Sequence, residues 1–69
     1  MNLTWENNAT ISVTIDGKTV LISANRAGLR SLANHLAALA QEPPGNHVHL
    51  DEYNALEDGS SELIIEITA

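Results

Sequence analysis

The chain has 69 residues, enough for one domain over residues 1–69, and it contains no cysteine, which excludes disulfides and thiol chemistry. Nine acidic residues against three basic ones give a net charge of −6 at pH 7, which disfavours nucleic-acid backbones and anionic membranes and favours a basic protein partner. The chain has no run of about 18 apolar residues and no signal-peptide pattern in its first residues, so we expect it in the cytoplasm.

A short apolar segment predicts a first strand at Leu3 to Glu6. If residues 7–9 form a three-residue loop, Leu3 and Trp5 face the core. A two-residue Asn7-Asn8 turn would instead place both on the outer face, because a shift of one residue inverts every side chain of a strand. We prefer the longer loop because it buries the only tryptophan.

A β-hairpin is predicted next, because residues 11–15 alternate between aliphatic and polar side chains. Asp16-Gly17 is a favoured two-residue type I′ turn. With that turn, four side chains are expected to face the helix, and Leu21 is expected to face away. The four form two cross-strand pairs, Val13 with Val20 and Ile11 with Ile22.

The strongest periodic pattern predicts an amphipathic helix from Asn25 to Gln41. Its apolar stripe consists of Leu29, Leu32, Ala33, Leu36, Leu39 and Ala40. The residues predicted for the opposite side are Arg30, Ser31, Asn34 and Ala38. His35 falls on the flank of the stripe, where we expect no special role.

The ends of this helix are also predicted from the sequence. Ser23 or Asn25 can cap the first turn by accepting a hydrogen bond from an orphan N–H group, and Pro43-Pro44 prevents continuation. Gly28 in the first turn costs about 1 kcal/mol relative to alanine. A close approach of the sheet backbone to Gly28 would explain why glycine stands there.

After the helix, His47 to Asp51 alternates and predicts a strand whose Val48 and Leu50 point to the core. Glu52 to Ser60 is predicted as a loop with a turn at Asp58-Gly59. Glu62 to Thr68 is the last predicted strand; its inward residues are Leu63, Ile65 and Ile67, and its outward residues are Glu62, Ile64 and Glu66. The expected fold is therefore α+β: a two-layer sandwich of order β-β-β-α-β-β, with one helix on one face of a four- or five-stranded, mainly antiparallel sheet.

The strand after the helix carries the pattern His47-x-His49-x-Asp51. Side chains two residues apart on a strand project from one face about 6.5–7 Å apart, so the two imidazoles could chelate zinc if Glu62 or Glu66 supplied a third ligand. Asp51 lies about 13 Å from His47 along the strand, too far to complete the same site. A solvated polar face and a contact surface for a partner are the other two interpretations. We expect no metal and no cofactor.

The chain carries no Gly-rich phosphate loop, no Gly-x-Ser-x-Gly elbow and no His-Glu-x-x-His helix, so we expect no enzyme. Carboxylates instead surround Tyr53, and an aromatic side chain among acids is typical of an interface for a basic partner. The alternative is that Tyr53 and Leu56 only cover the open end of the core. The residues expected to bind a partner are His47, His49, Asp51, Glu52, Tyr53, Glu57 and Asp58.

Three segments resemble immunity protein family 32 of bacterial polymorphic-toxin systems. Residues 25–36 contain its Gly-Leu-x-x-Leu-Ala helix, residues 47–52 its His-x-His-Leu-Asp stretch, and residues 56–66 its Gly-Ser-x-x-Leu-Ile-Ile-Glu strand. The resemblance implies a cytoplasmic protein that binds and silences a cognate toxin domain. It also implies that the matching residues His47, His49 and Asp51 contact that toxin.

The first functional hypothesis is therefore an immunity protein that neutralises a toxin by stoichiometric binding; a nuclease with a basic groove would suit a chain of charge −6. The second is a small structural or regulatory domain that forms a homodimer through its outer sheet face, which carries Leu21 and Ile64. The third is a metal-binding domain at His47 and His49.

Overall fold

The computed structural model describes residues 4–69. Its elements are β1 (Ile11–Asp16), β2 (Thr19–Ala24), α1 (Arg26–Leu39), β3 (His47–Leu50) and β4 (Leu63–Glu66). This confirms the α+β class. The predicted single sheet is not confirmed, because the strands form two antiparallel pairs, β1 with β2 and β3 with β4. No helix among residues 4–69 is long and apolar enough to cross a membrane.

The predicted first strand is wrong for the residues that can be compared. Leu3 lies outside the described residues, and residues 4–6 form no strand. The turn that follows has Asn7 and Asn8 at its centre, with Ala9 N donating to the Glu6 carbonyl, so the preferred three-residue loop is also wrong. Trp5 is nevertheless half-buried against the core, because residues 4–6 run along the helix and strand alternation does not apply to them.

The hairpin forms, but its turn lies one residue later than predicted. Asp16 pairs with Thr19, which makes Gly17-Lys18 the loop. Gly17 has φ +60° and Lys18 is not among the residues of positive φ, a pattern typical of a type II′ turn, which needs glycine only at its first position. The predicted cross-strand pairs are therefore wrong by two residues: Val13 lies opposite Ile22, Ile15 opposite Val20 and Ile11 opposite Ala24.

The cap predicted for α1 is confirmed at Asn25 rather than at Ser23. The Asn25 Oδ1 accepts hydrogen bonds from Gly28 N at 2.7 Å and from Thr10 N at 3.0 Å, so the cap also joins the helix to the start of β1. The close approach expected at Gly28 is confirmed as well, because a Cβ at this position would collide with the Thr10 carbonyl oxygen.

The buried face of α1 is rotated by about one residue from the predicted stripe. Its buried residues are Gly28, Ser31, Leu32, His35 and Leu39. Leu29 and Leu36 are 53% and 41% exposed, and Ala33 and Ala40 are exposed too, which contradicts most of the predicted stripe.

Two polar side chains explain the rotation. The buried Ser31 hydroxyl accepts a hydrogen bond from Glu6 N at 2.9 Å, and the His35 Nε2 lies 2.9 Å from the Thr4 carbonyl oxygen. Residues 4–6 thus supply hydrogen-bond partners to Ser31, which the sequence pattern placed on the polar side of the helix, and to His35, which it placed on the flank of the apolar stripe. The predictions of an outward Ser31 and of an unimportant His35 are wrong for that reason.

The core lies between α1, β1 and the second strand pair. Its buried cluster is Ile11, Val13, Leu32, Leu50 and Leu56, and Trp5, Ala24, Ala55, Leu63 and Ile65 pack against it. The inward positions predicted for Val48 and Leu50 are confirmed, as is the exposed Ile64. The last strand is shorter than the predicted Glu62 to Thr68, although Ile67 still exchanges backbone hydrogen bonds with residues 45 and 46.

The two strand pairs are joined by an irregular segment, residues 57–61. Glu57 N donates to the Ile11 carbonyl at 2.9 Å and Ser61 N donates to the Val13 carbonyl at 2.7 Å. The Ser60 hydroxyl accepts from Val13 N at 3.1 Å, in place of a backbone partner. β1 therefore lies between β2 and the segment that leads into β4.

Candidate protein-binding surface

The outer side of β3 and the two turns that follow it form one surface rich in carboxylates. We call it the acidic face and define it by His47, His49, Asp51, Glu52, Tyr53, Glu57, Asp58 and Glu62. Because Val48 and Leu50 are buried, the alternation of β3 turns His47 and His49 outward, as the sequence predicts. In the antiparallel pairing, His49 lies opposite Ile64 and His47 lies opposite Glu66.

His49 lies between two carboxylates at the centre of this strand pair. Its Nε2 is 3.0 Å from Glu62 Oε2 and 3.6 Å from Asp51 Oδ2. Since all three side chains are solvent-accessible, such pairs contribute at most about 1 kcal/mol each to stability. The arrangement fixes the direction of the imidazole ring and leaves carboxylate oxygens facing solvent.

Glu62 was not among the partner-binding residues predicted from the sequence. We include it in the acidic face because its carboxylate lies within hydrogen-bond distance of His49. The signal that could identify it is the strand register: Glu62 precedes Ile64 by two residues, so both lie on the face that carries His49.

No group of three histidine, cysteine or carboxylate side chains among residues 4–69 is arranged to hold a metal ion. The carboxylates of Glu62 and Asp51 are directed to the same nitrogen of His49, where they act as hydrogen-bond or ion-pair partners of the ring.

The turn over residues 51–56 is held by hydrogen bonds at both ends. The Asp51 carbonyl accepts from the N–H groups of Asn54, Ala55 and Leu56, and the Asp51 carboxylate accepts from Tyr53 N at 2.9 Å. The Asn54 side chain accepts from Asp51 N and donates to the His49 carbonyl at 2.8 Å. The turn is therefore fixed to the end of β3.

Tyr53 and Leu56, the two large apolar side chains of this turn, have opposite environments. Leu56 is 5% exposed and belongs to the core cluster, whereas Tyr53 is 95% exposed. Of the two residues considered as a cover for the core, only Leu56 covers it. Tyr53 projects from a fixed turn into solvent.

The second acidic turn is connected to the first. Asp58-Gly59 forms the predicted turn, with Gly59 at φ +86°, and Gly59 N donates to Glu52 Oε2 at 2.7 Å. Glu57 and Asp58 are exposed beside it. Residues that the sequence placed in one loop thus form two turns that this hydrogen bond links.

The basic residues lie outside the acidic face. Arg30 on α1 forms a forked pair with Glu6, with Nε and Nη2 at 2.9–3.0 Å from the carboxylate oxygens. This hydrogen bonding lowers the pKa of Glu6 and raises that of Arg30. Lys18 is in the hairpin turn and Arg26 begins the helix. The charge of the acidic face is therefore not neutralised by a lysine or arginine within it.

An open pocket of about 350 Å³ borders the turn over residues 51–56. The residues that line it are Trp5, Glu6, Asn7, Asn8, Ala9, Asn54 and Ala55. Its only ionisable side chain is Glu6, whose carboxylate is already bonded to Arg30. The pocket presents amide groups and an aromatic edge and holds no pair of groups suited to acid–base catalysis.

A family model described as Immunity protein 32 matches residues 19–68. This range begins at the first residue of β2 and includes every residue of the acidic face. No curated protein and no solved structure matches the chain.

Proposed function

The chain belongs to the Immunity protein 32 family, and we propose that it neutralises a cognate bacterial toxin domain by stoichiometric binding through the acidic face, without catalysing a reaction. On this proposal the chain acts in the cytoplasm as a single domain. It blocks the toxin sterically and holds it by complementary charge. No metal or cofactor takes part.

The observation that carries the proposal is the exposure of Tyr53 on a fixed turn. Tyrosine is enriched among the residues that dominate binding energy, and an aromatic ring that is 95% exposed has area to lose to a partner. The hydrogen bonds of residues 51–56 are in place before binding, so little backbone entropy is lost on association. The turn is suited to insert Tyr53 into a toxin.

The charge of the acidic face indicates the kind of toxin. Tyr53 lies among acidic residues in the sequence of a chain of net charge −6, and the acidic face contains no lysine or arginine. A basic partner would be steered to it, since opposite potentials raise the association rate. A nuclease fits this requirement, because a groove that binds nucleic acid is lined with basic side chains and would be occluded by the acidic face.

Binding to the toxin domain encoded beside this gene tests the proposal. Calorimetry should give one-to-one binding that weakens between about 0.05 and about 0.5 M salt, because salt screens exposed charges. In stopped-flow mixing at low salt, Asp58→Asn should lower the association rate with the toxin several-fold. Asp16→Asn removes the same charge from the hairpin and should leave the association rate unchanged. Binding that is indifferent to salt and to Asp58→Asn would reject the electrostatic part, and no binding would reject the function.

A further inference from the structure

β2 is an edge strand, and its own sequence carries none of the features that usually protect such an edge. It pairs with β1 on one side, and no described strand pairs with its other side. Its sequence, Thr19-Val20-Leu21-Ile22-Ser23-Ala24, contains no charge, proline or glycine. Natural proteins protect exposed edges with such residues or cover them, because unpaired backbone groups bind other strands. An unprotected edge of six residues therefore indicates that something covers it.

The hairpin geometry determines which backbone groups are free. A two-residue loop closes on a hydrogen-bonded pair, here Asp16 with Thr19, and hydrogen-bonded pairs then recur at every second residue. Leu21 therefore directs its N–H and C=O groups to β1. Val20 and Ile22 direct theirs to the free edge.

The side chains beside this edge are apolar and exposed. Ile15, Val20 and Ile22 share one face, by the observed register, with the core residues Ile11 and Val13. The helix covers only the Ile11 and Val13 end, so Ile15 and Val20 are 58% and 55% exposed and Ile22 is 39% exposed. Val20 and Ile22 thus lie on the predicted face of the hairpin. The prediction that the helix covers them is wrong, because both side chains are exposed.

We propose that a second copy of this chain pairs antiparallel with β2, with a two-fold axis at Leu21. In this register Val20 of each copy lies opposite Ile22 of the other, and Leu21 lies opposite Leu21. The free N–H and C=O groups of Val20 and Ile22 then meet those of the other copy, and the two hairpins form one four-stranded sheet. The exposed aliphatic side chains of both copies become neighbours on the same face.

Symmetry favours a second copy as the partner, and charge indicates where two copies can meet. Two chains of charge −6 repel each other, so they associate best where carboxylates are absent, and β2 has none. Asp16 is the one acid of the hairpin, and Lys18 lies in the adjoining turn. The run Val20-Leu21-Ile22 is also self-complementary about its centre, which a two-fold axis requires.

The dimer would leave both acidic faces free. The acidic face is built on β3, β4 and the turns between them, and β1 separates these elements from β2. Each copy could then bind one toxin, so this inference stands independently of the proposed function.

Sedimentation equilibrium of the wild-type chain and of two lysine variants tests the dimer. The molar mass of the wild type from sedimentation equilibrium should be twice the 7.4 kDa of one chain. Val20→Lys should raise the dimer dissociation constant about 100-fold, because two replaced side chains each contribute roughly tenfold. Ile64→Lys, an equally exposed position on the outer sheet face, should leave the dimer intact. A wild type that remains a monomer, or a dimer that survives Val20→Lys, would overturn the proposal.

Amide hydrogen exchange of the wild type gives a second test that does not depend on a folded variant. Exchange at Val20 and Ile22 should slow as the protein concentration rises, because only the dimer bonds these N–H groups. Exchange at Leu21, whose N–H is bonded to β1 in both states, should change less. A dimer in which Val20 and Ile22 exchange at the same rate at all concentrations would place the interface elsewhere and reject the β2 pairing.

Discussion

At the scale of single residues, the helix is positioned by contacts that its apolar pattern does not contain. Gly28 sits against the Thr10 carbonyl, and the buried His35 packs edge-on against Trp5 with ring centroids 3.9 Å apart. The His35 Nε2 bonds to the Thr4 carbonyl, and its buried Nδ1 has no partner in the described structure. These residues join α1 to the segment before β1.

Gly28→Ala should destabilise the protein, although helix propensity alone predicts that alanine would stabilise it. Alanine is about 1 kcal/mol better than glycine inside an unobstructed helix. Here the added Cβ meets backbone, which cannot rotate away, so we expect a net loss of about 1–3 kcal/mol in urea denaturation. Asn34→Ala, at an exposed position of the same helix, should be neutral or slightly stabilising. A Gly28→Ala protein more stable than the wild type would contradict the close approach.

His35→Ala should cost about 2–4 kcal/mol, because it leaves a cavity beside Trp5 and removes the bond to Thr4. Trp5 is the only tryptophan, so its fluorescence reports the same contact directly and should shift toward that of an exposed indole. His47→Ala, an exposed histidine on β3, provides the control and should change neither stability nor emission. Unchanged emission in His35→Ala would show that the two rings do not pack together.

Among the helices and strands, the sequence predicts which side chains share a strand face, because that depends on alternation alone. It does not predict the buried face of the helix, because a distant segment of the chain determines it. The turn of the hairpin moves by one residue and its register by two, so every side chain keeps its predicted face. Helix α1 is found within its predicted bounds, but its buried face turns toward Ser31 and His35. Only the partners supplied by residues 4–6 make those positions favourable, and local periodicity cannot detect a contact between residues 25 or more apart in the chain.

The sequence pattern also does not predict how the two strand pairs are connected. Residues 57–61 form no regular strand, yet they bond to the backbone of Ile11 and Val13. The Ser60 hydroxyl takes the place of a strand carbonyl, a substitution that no alternation predicts. The predicted single sheet therefore appears as two pairs with an irregular connection.

For the molecule as a whole, the position of the proposed site follows from the sequence more directly than the fold does. Its residues from His47 to Asp58 lie within one stretch of the sequence, so a charged segment around one tyrosine is enough to propose them. The sequence also places Glu62 on the outward face near the histidines, and the strand register shows that His49, rather than His47, is its neighbour. The exposure of Tyr53 required the structure, since the same sequence allows the ring to cover the core.

The charges are also separated across the molecule. Arg30 is engaged by Glu6, and the remaining cations, Lys18 and Arg26, lie beyond the two ends of β2. The acidic face and the apolar hairpin are thus different surfaces, suited to a basic toxin and to a second copy of the chain. A complex with two copies of each protein follows if both proposals hold.

On our proposal, the acidic face is the surface that binds the toxin. The most direct measurement is an NMR titration of the ¹⁵N-labelled chain with a catalytically inactive form of the toxin domain encoded beside its gene. We expect the largest shift changes on residues 51–59, His47 and His49, and we expect Tyr53→Ala to weaken binding by at least about tenfold. Shift changes confined to the β1–β2 hairpin or to the exposed side of α1, with Tyr53→Ala binding as tightly as the wild type, would contradict it.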